Sequence, residues 1–525
     1  MTRKNNRFAV WLFSLALIIP MGLSGQQDGE GYEVGTALPP IDPDRIRVEI
    51  SLEDAIARAL EMNLDVQSVR LNPQIQQYSL QAAQAAFDPT MSATYGYNNS
   101  TNQSTSQLDG GLQTSTMRQT YNASINKPTP WYGGRLSASF NNNRTETDNT
   151  FSTLPLSYRS TLSLNYTQPL LAGRKTDNQR TSLETTVIQG DNSDIQLDAQ
   201  IANITYLIQV SYWGLRAAIE QIEIQNQNLI QAQDLLEQNR IRVQIGTMSD
   251  LQMLQAEAQV ANAEQSRLGA EIQWRNQELS FKRLLVGGPN DPLLAQTLIP
   301  TSAPTLVFQE PDIDAAVAIA LEQRTDLRQS RNNREISSLN LAVTNNNTRP
   351  DLNLTAAYSV QGTGGDRYQR VGLGGELELV EPGGYTSGLR SLLDRNTPTW
   401  SINLNFSYPI GNKGSRASLR RAELQLEQTD LSIRSQELGV VIEVTNAGLA
   451  VNDTFLLLEA AQRSRAVSER AAEVEVTRFG VGASTNYEVA LAQDQLTQAR
   501  LSELRAMIDY VNAIGELELV QYVGR

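Results

Sequence analysis

Arg242, Gly246, Ser249 and Ala256 recur 236 positions later as Arg478, Gly482, Thr485 and Ala492. They sit in the segments RVQIGTMSDLQMLQAEAQ (242–259) and RFGVGASTNYEVALAQDQ (478–495). Glycine at this place permits a tight helix-to-helix turn, because its backbone reaches the left-handed region without a Cβ clash. Each arginine lies four residues before its glycine. There a guanidinium can bind the free carbonyls of the last helical turn, or it can bridge to a neighbouring helix and hold two helices together. The spacing alone leaves both uses open. Asp250 and Asn486 follow in the two turns, with Gln252 and Glu488 two residues beyond them.

This chemistry is not catalytic. The chain has no cysteine and no histidine, which removes thiolate nucleophiles, disulfides, thiolate metal sites and the commonest general base and metal ligand. No metal-ligand cluster, no nucleophile paired with a base and no phosphate loop is found, so neither an enzyme nor a cofactor is expected. GLGGEL at 372–377 is glycine-rich but lacks the strand-to-helix setting that phosphate binding requires.

The elements that position these residues begin after an export signal. Arg3, Lys4 and Arg7 precede an apolar stretch from Phe8 to Ile19, and small residues up to Gly25 suit cleavage. Removal of 1–25 leaves 40 basic against 57 acidic residues, a net charge of −17. An exported chain that acidic is a poor nucleic-acid binder. No later uninterrupted run of 18 apolar residues is present, which argues against a helical membrane protein.

The remainder is duplicated. SLEDAIARALEMNLDV (51–66) resembles DIDAAVAIALEQRTDL (312–327) at an offset of 261, which also carries Pro89 onto Pro350 and Tyr97 onto Tyr358. Each half reads as helix, strands, very long helix, tight turn, helix. Residues 26–48 form a polar lead-in, 49–286 the first repeat, 287–311 a proline-rich linker and 312–525 the second repeat. The turns fall at about 242–250 and 478–486. Residues 175–241 contain no proline, enough for a helix of about 100 Å. Ile201, Ile204, Ile208, Leu215, Ala218, Ile222 and Leu229 follow coiled-coil spacing, as do Leu251, Leu254, Ala258, Ala261, Leu268, Ile272 and Leu279 after the turn.

Six segments instead alternate with period two, in regions about 90–168 and 351–408. TWSINLNFSYP (399–409) places Trp400, Ile402, Leu404, Phe406 and Tyr408 on one face and Ser401, Asn403, Asn405 and Ser407 on the other. The segments around Met91–Tyr97, Tyr121–Ile125, Leu136–Phe140, Leu162–Tyr166 and Leu352–Val360 repeat the pattern. A soluble sheet usually carries Lys and Glu on its wet face. Small neutral residues there suit a barrel lumen, with the apolar face toward lipid. Long polar connections at 99–118, 143–159 and 361–397, against a short one at 127–134, match the long external loops and short internal turns of such barrels.

Together the two AxxxALE-type helix starts, the prolines that bracket the strands (Pro89, Pro169, Pro350, Pro409) and the paired turns resemble the TolC-like outer-membrane efflux protein family, over about residues 49–521. The resemblance implies a mixed α/β membrane protein: a trimeric transmembrane β-barrel continued by a long α-helical coiled-coil barrel through the periplasm, built by internal duplication. It implies the exit duct of a tripartite efflux or type I secretion system in the outer membrane of a Gram-negative-type bacterium. Expected partners are two further copies of the chain, a periplasmic adaptor, an inner-membrane transporter of RND, ABC or MFS type, and outer-membrane lipid. Gly246, Ser249, Asp250, Gly482, Thr485 and Asn486 become the adaptor-binding tips, and Glu488, Gln252, Arg242 and Arg478 the periplasmic gate. Where the family places an acidic residue, the first half has Gln252 and the second Glu488, and Leu491 stands three residues later where some members carry another acidic residue, so one ring of three carboxylates is expected rather than two. Family members carry four strands per protomer, against six here; the additional pair (119–126 and 135–142) either widens the barrel to 18 strands or extends outside the membrane. A trimeric structural coiled coil of the envelope, without transport activity, is the alternative, and it requires no barrel.

Overall fold

The computed structural model describes residues 37–40, 43, 45–104, 111–372, 375–395 and 397–521. The expected export signal, most of the lead-in and the centre of the 372–377 stretch lie outside the described residues. The first half runs β1 (Arg47–Ile50), α1 (Leu52–Met62), α2 (Leu64–Ala85), β2 (Thr90–Gln103), β3 (Gln113–Pro128), β4 (Arg135–Thr147), β5 (Leu156–Pro169), α3 (Asn178–Gln244) and α4 (Asp250–Leu285). After a 3-10 turn (Pro292–Ala295) the second half runs β6 (Thr297–Pro300), α5 (Ile313–Gln323), α6 (Thr325–Asn346), β7 (Asp351–Gly364), β8 (Arg367–Arg370), β9 (Leu377–Glu381), α7 (Tyr385–Leu393), β10 (Pro398–Ser407), α8 (Lys413–Gly480) and α9 (Asn486–Val520). β1 and β6, which open the two halves, pair in parallel.

Caps set the helix starts. The Ser51 hydroxyl accepts from the Asp54 backbone at 3.1 Å, and Asp312 accepts from Ala315 at 3.0 Å at the equivalent place. Asn63 interrupts the first helix, because its side chain accepts from the Asp65 and Val66 backbone and so begins α2. Ala55 and Ala59 of α1 are buried against α3, and Ala316 and Ala320 of α5 belong to the matching core on α8. Small residues at these positions let the short helix lie close on the long one. α3 has 67 residues and α8 has 68, about 100 Å each.

The two heptad seams behave differently. Ile204, Ile208, Leu215, Ala218, Ile222 and Leu229 of α3 are buried as their spacing predicts. On α4 the buried hydrophobic residues are Ala256, Ala263 and Ala270, then Trp274, Phe281 and Leu285. Leu251, Leu254, Leu268, Ile272 and Leu279 point away from α3 and are exposed in the single protomer. The alanines recur every seven residues and allow α3 and α4 to approach closely, which turns the leucine seam outward. α8 likewise exposes Leu424, Leu431 and Leu438. An 18-residue window of α8 is apolar enough by composition to cross a membrane, and 28% of it is buried; in α8 Val440, Val444 and Val451 are buried, whereas Ile442, Leu449, Leu456 and Leu457 are exposed.

The six long strands form one antiparallel sheet in the order β10-β7-β5-β4-β3-β2. Directly opposed residues share a face, so the register extends each strand's alternation across the whole sheet. Met91, Ile125, Ala138, Leu164, Tyr358 and Trp400 form one apolar row. On the opposite face Ser92, Ser124, Ser139, Ser163, Ser359 and Thr399 form an unbroken row of hydroxyls. β2 to β5 and β7 have 13 to 16 residues, several beyond the alternating segments. Pairing continues past the alternation because it needs only backbone donors and acceptors, which the Asn-, Ser- and Thr-rich ends supply.

The connection between β7 and β10 is not a plain loop. It contains the β8–β9 hairpin and α7. α7 packs on β7 and β5 where the otherwise apolar face turns polar, over Asn142, Ser160, Gly362 and Gly364. A Cβ added to Gly362 would lie 2.0 Å from the Gly388 carbonyl oxygen, so glycine is what lets the helix rest on the strand.

Candidate functional site

The two turns at the far end of the long helices are built alike. The Gly246 amide donates to Val243 O at 3.0 Å and the Thr247 amide to Arg242 O at 2.9 Å; the Gly482 amide donates to Phe479 O at 3.1 Å and the Ala483 amide to Arg478 O at 2.8 Å. This is the Schellman closure, with both glycines left-handed at φ +77 and +78. Nothing lies within 4 Å of a Cβ placed on either glycine. The tip is therefore open.

The arginines resolve their two uses differently. Arg242 reaches across the repeat: its Nη2 donates to Phe479 O at 3.0 Å and its guanidinium lies 4.1 Å from the centroid of the Phe479 ring. It binds a last-turn carbonyl, but that of the other helix, and so caps and bridges at once. Arg478 stays local, with Nη1 3.0 Å from Glu475 Oε2 and Nη2 donating to Ala483 O at 3.3 Å.

Glu488 is exposed and closes a capping box at the start of α9. Its Oε2 accepts from the Thr485 amide at 2.9 Å, the Thr485 hydroxyl at 3.2 Å and the Ser484 hydroxyl at 3.0 Å. Those donors, the Thr485 backbone first, hold its carboxyl below the ordinary range, and Arg478 adds to the effect. Gln252 occupies the matching place on α4 and accepts from the Ser249 amide at 3.4 Å. The tip thus pairs one charged capping box with one neutral one.

Gly246, Ser249, Asp250, Gly482 and Thr485 are exposed. Asn486 is not: it is 4% exposed, which corrects its placing on an open docking face. Its Oδ1 accepts from Asn239 Nδ2 at 2.8 Å, and its Nδ2 donates to Gln252 O at 3.5 Å. It is a polar tie between the halves. The repeat does not mark either partner: Asn239 lies outside the repeated segment, and Phe479 lies inside it but is matched by Val243 rather than by a like residue. Around the open turns Ile245, Leu251, Val481 and Tyr487 expose apolar surface.

At the other end, Trp400, Ile402, Leu404 and Phe406 are 61–73% exposed and Tyr408 is 38% exposed. The sheet is one layer, and apart from α7 no described helix covers its apolar face. β2 and β10 are each paired on one side only among the described residues.

A family profile described as outer membrane efflux protein matches residues 135–287 and 316–525. The chain is 26% identical over 331 residues to the pyoverdine export outer membrane protein OpmQ of Pseudomonas putida; the match spans 61% of this chain and 64% of that protein's length. In fold it is similar to CusC, with a TM-score of 0.65 at 15% identity, covering 90% of this chain and 92% of that one. It is similar also to the open state of the MtrE outer membrane channel of Neisseria gonorrhoeae, with a TM-score of 0.60 at 18% identity over 90% and 89% of the chains.

Proposed function

This chain belongs to the outer membrane efflux protein family, and from that premise we propose that it is the passive exit duct of a tripartite efflux or type I secretion system. Three copies close one barrel in the outer membrane, and their long helices continue it into the periplasm. The helical tips meet an adaptor coupled to an inner-membrane transporter. The protein carries out no catalysis; the energy comes from the transporter.

The observation that carries this reading is the apolar face of the single-layer sheet, uncovered apart from α7, together with its two edges, unpaired among the described residues. Water does not favour so large an apolar face, and lipid does not tolerate open strand edges. A barrel closed by further copies satisfies both demands. The outward leucine stripes of α4 and α8 are surface for the same neighbours. The test is reconstitution in planar lipid bilayers: trimers that conduct support the duct, and a monodisperse water-soluble protein without channels refutes it.

Lipid contact makes the two faces of β10 unequal. Arginine at Leu404 is expected to cost about 2–4 kcal/mol near the bilayer midplane, and arginine at Asn403 much less. Folding titrations into lipid vesicles measure both. Equal costs would place β10 in a soluble sheet.

At the tip, three Glu488 carboxylates form a cation-attracting aperture. The hydrogen bonds to each Glu488 favour its charged form. Glutamine also serves in a capping box, as Gln252 does here, so Glu488→Gln preserves the turn while removing the charge. The expected result is a conducting trimer with reduced preference for cations over anions. An unchanged reversal potential under a salt gradient removes Glu488 from the aperture.

A further inference from the structure

We infer that the barrel has 18 strands, with the β3–β4 hairpin forming part of its wall. The inference rests on the trimeric duct proposed above. Four strands of each protomer are joined directly to the tunnel helices: β2 follows α2, β5 leads into α3, β7 follows α6 and β10 leads into α8. The helices pack side by side in the order α2, α3, α6, α8, and the strands they feed lie in the same order across the sheet. β3 and β4 connect to no helix. They are inserted between β2 and β5 and displace β5 by two strand widths.

The hairpin is built as barrel wall. Its register is unbroken on both sides, from Gln103 opposite Gln113 at one end to Arg135 opposite Thr167 at the other. Its outer residues Tyr121, Ala123, Ile125, Leu136, Ala138 and Phe140 continue the apolar face. Its inner residues Asn122, Ser124, Ser139 and Asn141 continue the hydroxyl and amide face. An extension standing in water beyond the membrane has no need of this two-sided segregation.

The edges allow closure: β2 runs outward and β10 inward, so β10 of one protomer meets β2 of the next antiparallel, like every other neighbour in the sheet.

The absence of cysteine permits single spin labels on an otherwise unlabelled chain. Labels at Ile125→Cys and Phe140→Cys, in trimers reconstituted in phosphatidylcholine vesicles, are expected to collide with dissolved oxygen and to be shielded from a water-soluble nickel chelate. Labels at Asn122→Cys and Ser139→Cys are expected to show the reverse. Nickel accessibility at Ile125 and Phe140 equal to that of the lumen labels overturns the inference. Cryo-electron microscopy of the unmodified trimer in lipid nanodiscs decides it without any substitution: 18 strands support it and 12 overturn it. A conducting trimer with 12 strands would leave the proposed duct intact, whereas absence of a trimeric channel would remove the duct itself.

Discussion

Leucine at both Gly246 and Gly482 is expected to abolish export while trimers still assemble. Both glycines hold left-handed backbone, which costs a residue with a Cβ about 1–2 kcal/mol. That strain is confined to two surface turns, and no atom lies within 4 Å for the new side chain to displace. The protomer therefore keeps its fold, and the leucines project into the space that an adaptor would occupy. The Schellman closures leave small residues and apolar side chains such as Ile245 and Val481 exposed at the tip, surface suited to close docking by another helical hairpin. Asparagine at the same two positions is the control, because it tolerates left-handed backbone better than leucine. It should retain more adaptor binding than leucine does. Co-purification with the adaptor and export from cells are the two measurements. Normal export by the double leucine protein would mean that these turns are not the docking face.

Loss of the Glu278 carboxylate is expected to destabilise the protein strongly. Glu278 and Lys282 lie one helical turn apart near the end of α4, 3.2 Å between charged atoms, with side chains 1% and 0% exposed. Glu278 also accepts from the Leu298 amide at 2.8 Å, and the Lys282 ammonium donates to the Gln296 carbonyl. The pair thereby fastens the linker strand β6 to the first half. Burial pushes the Lys282 pKa down, against the pull of Glu278. Glu278→Ala leaves an ammonium buried without its counter-charge, and removing one partner of such a pair costs about 3–5 kcal/mol. Replacing both, as Glu278→Leu with Lys282→Met, removes the stranded charge and should cost less than the single change. Urea unfolding of the three variants forms the comparison. A loss below about 1 kcal/mol for Glu278→Ala would mean that water reaches the pair.

Much of this architecture is legible in local patterns. Period two marks the strand faces, because a pleated strand turns alternate residues to opposite sides. A long proline-free run marks α3, and repeated glycines mark both turns, because only glycine takes the left-handed backbone of a Schellman closure without strain. These properties belong to a residue and its near neighbours. Contacts between distant segments were out of reach. The motif places Asn486 beside Thr485, but its burial depends on Asn239 of the other half. The spacing of Arg242 allows two partners, and Phe479, 237 positions away, decides between them. Leu251 to Leu279 read as a seam toward α3, yet the alanines take that place, since close approach of two helices favours the smallest side chains and either stripe has coiled-coil spacing. α7 could not be foreseen on the sheet because its seat, Gly362 and Gly364, reads as loop composition. The amino-acid sequence by itself determined the elements, their duplication and the two unlike faces of the strands, all consequences of short-range periodicity. Only the tertiary structure decided which stripe of each helix is buried, which turn Arg242 holds, and that six strands form one continuous sheet, because each depends on how segments far apart in the chain meet.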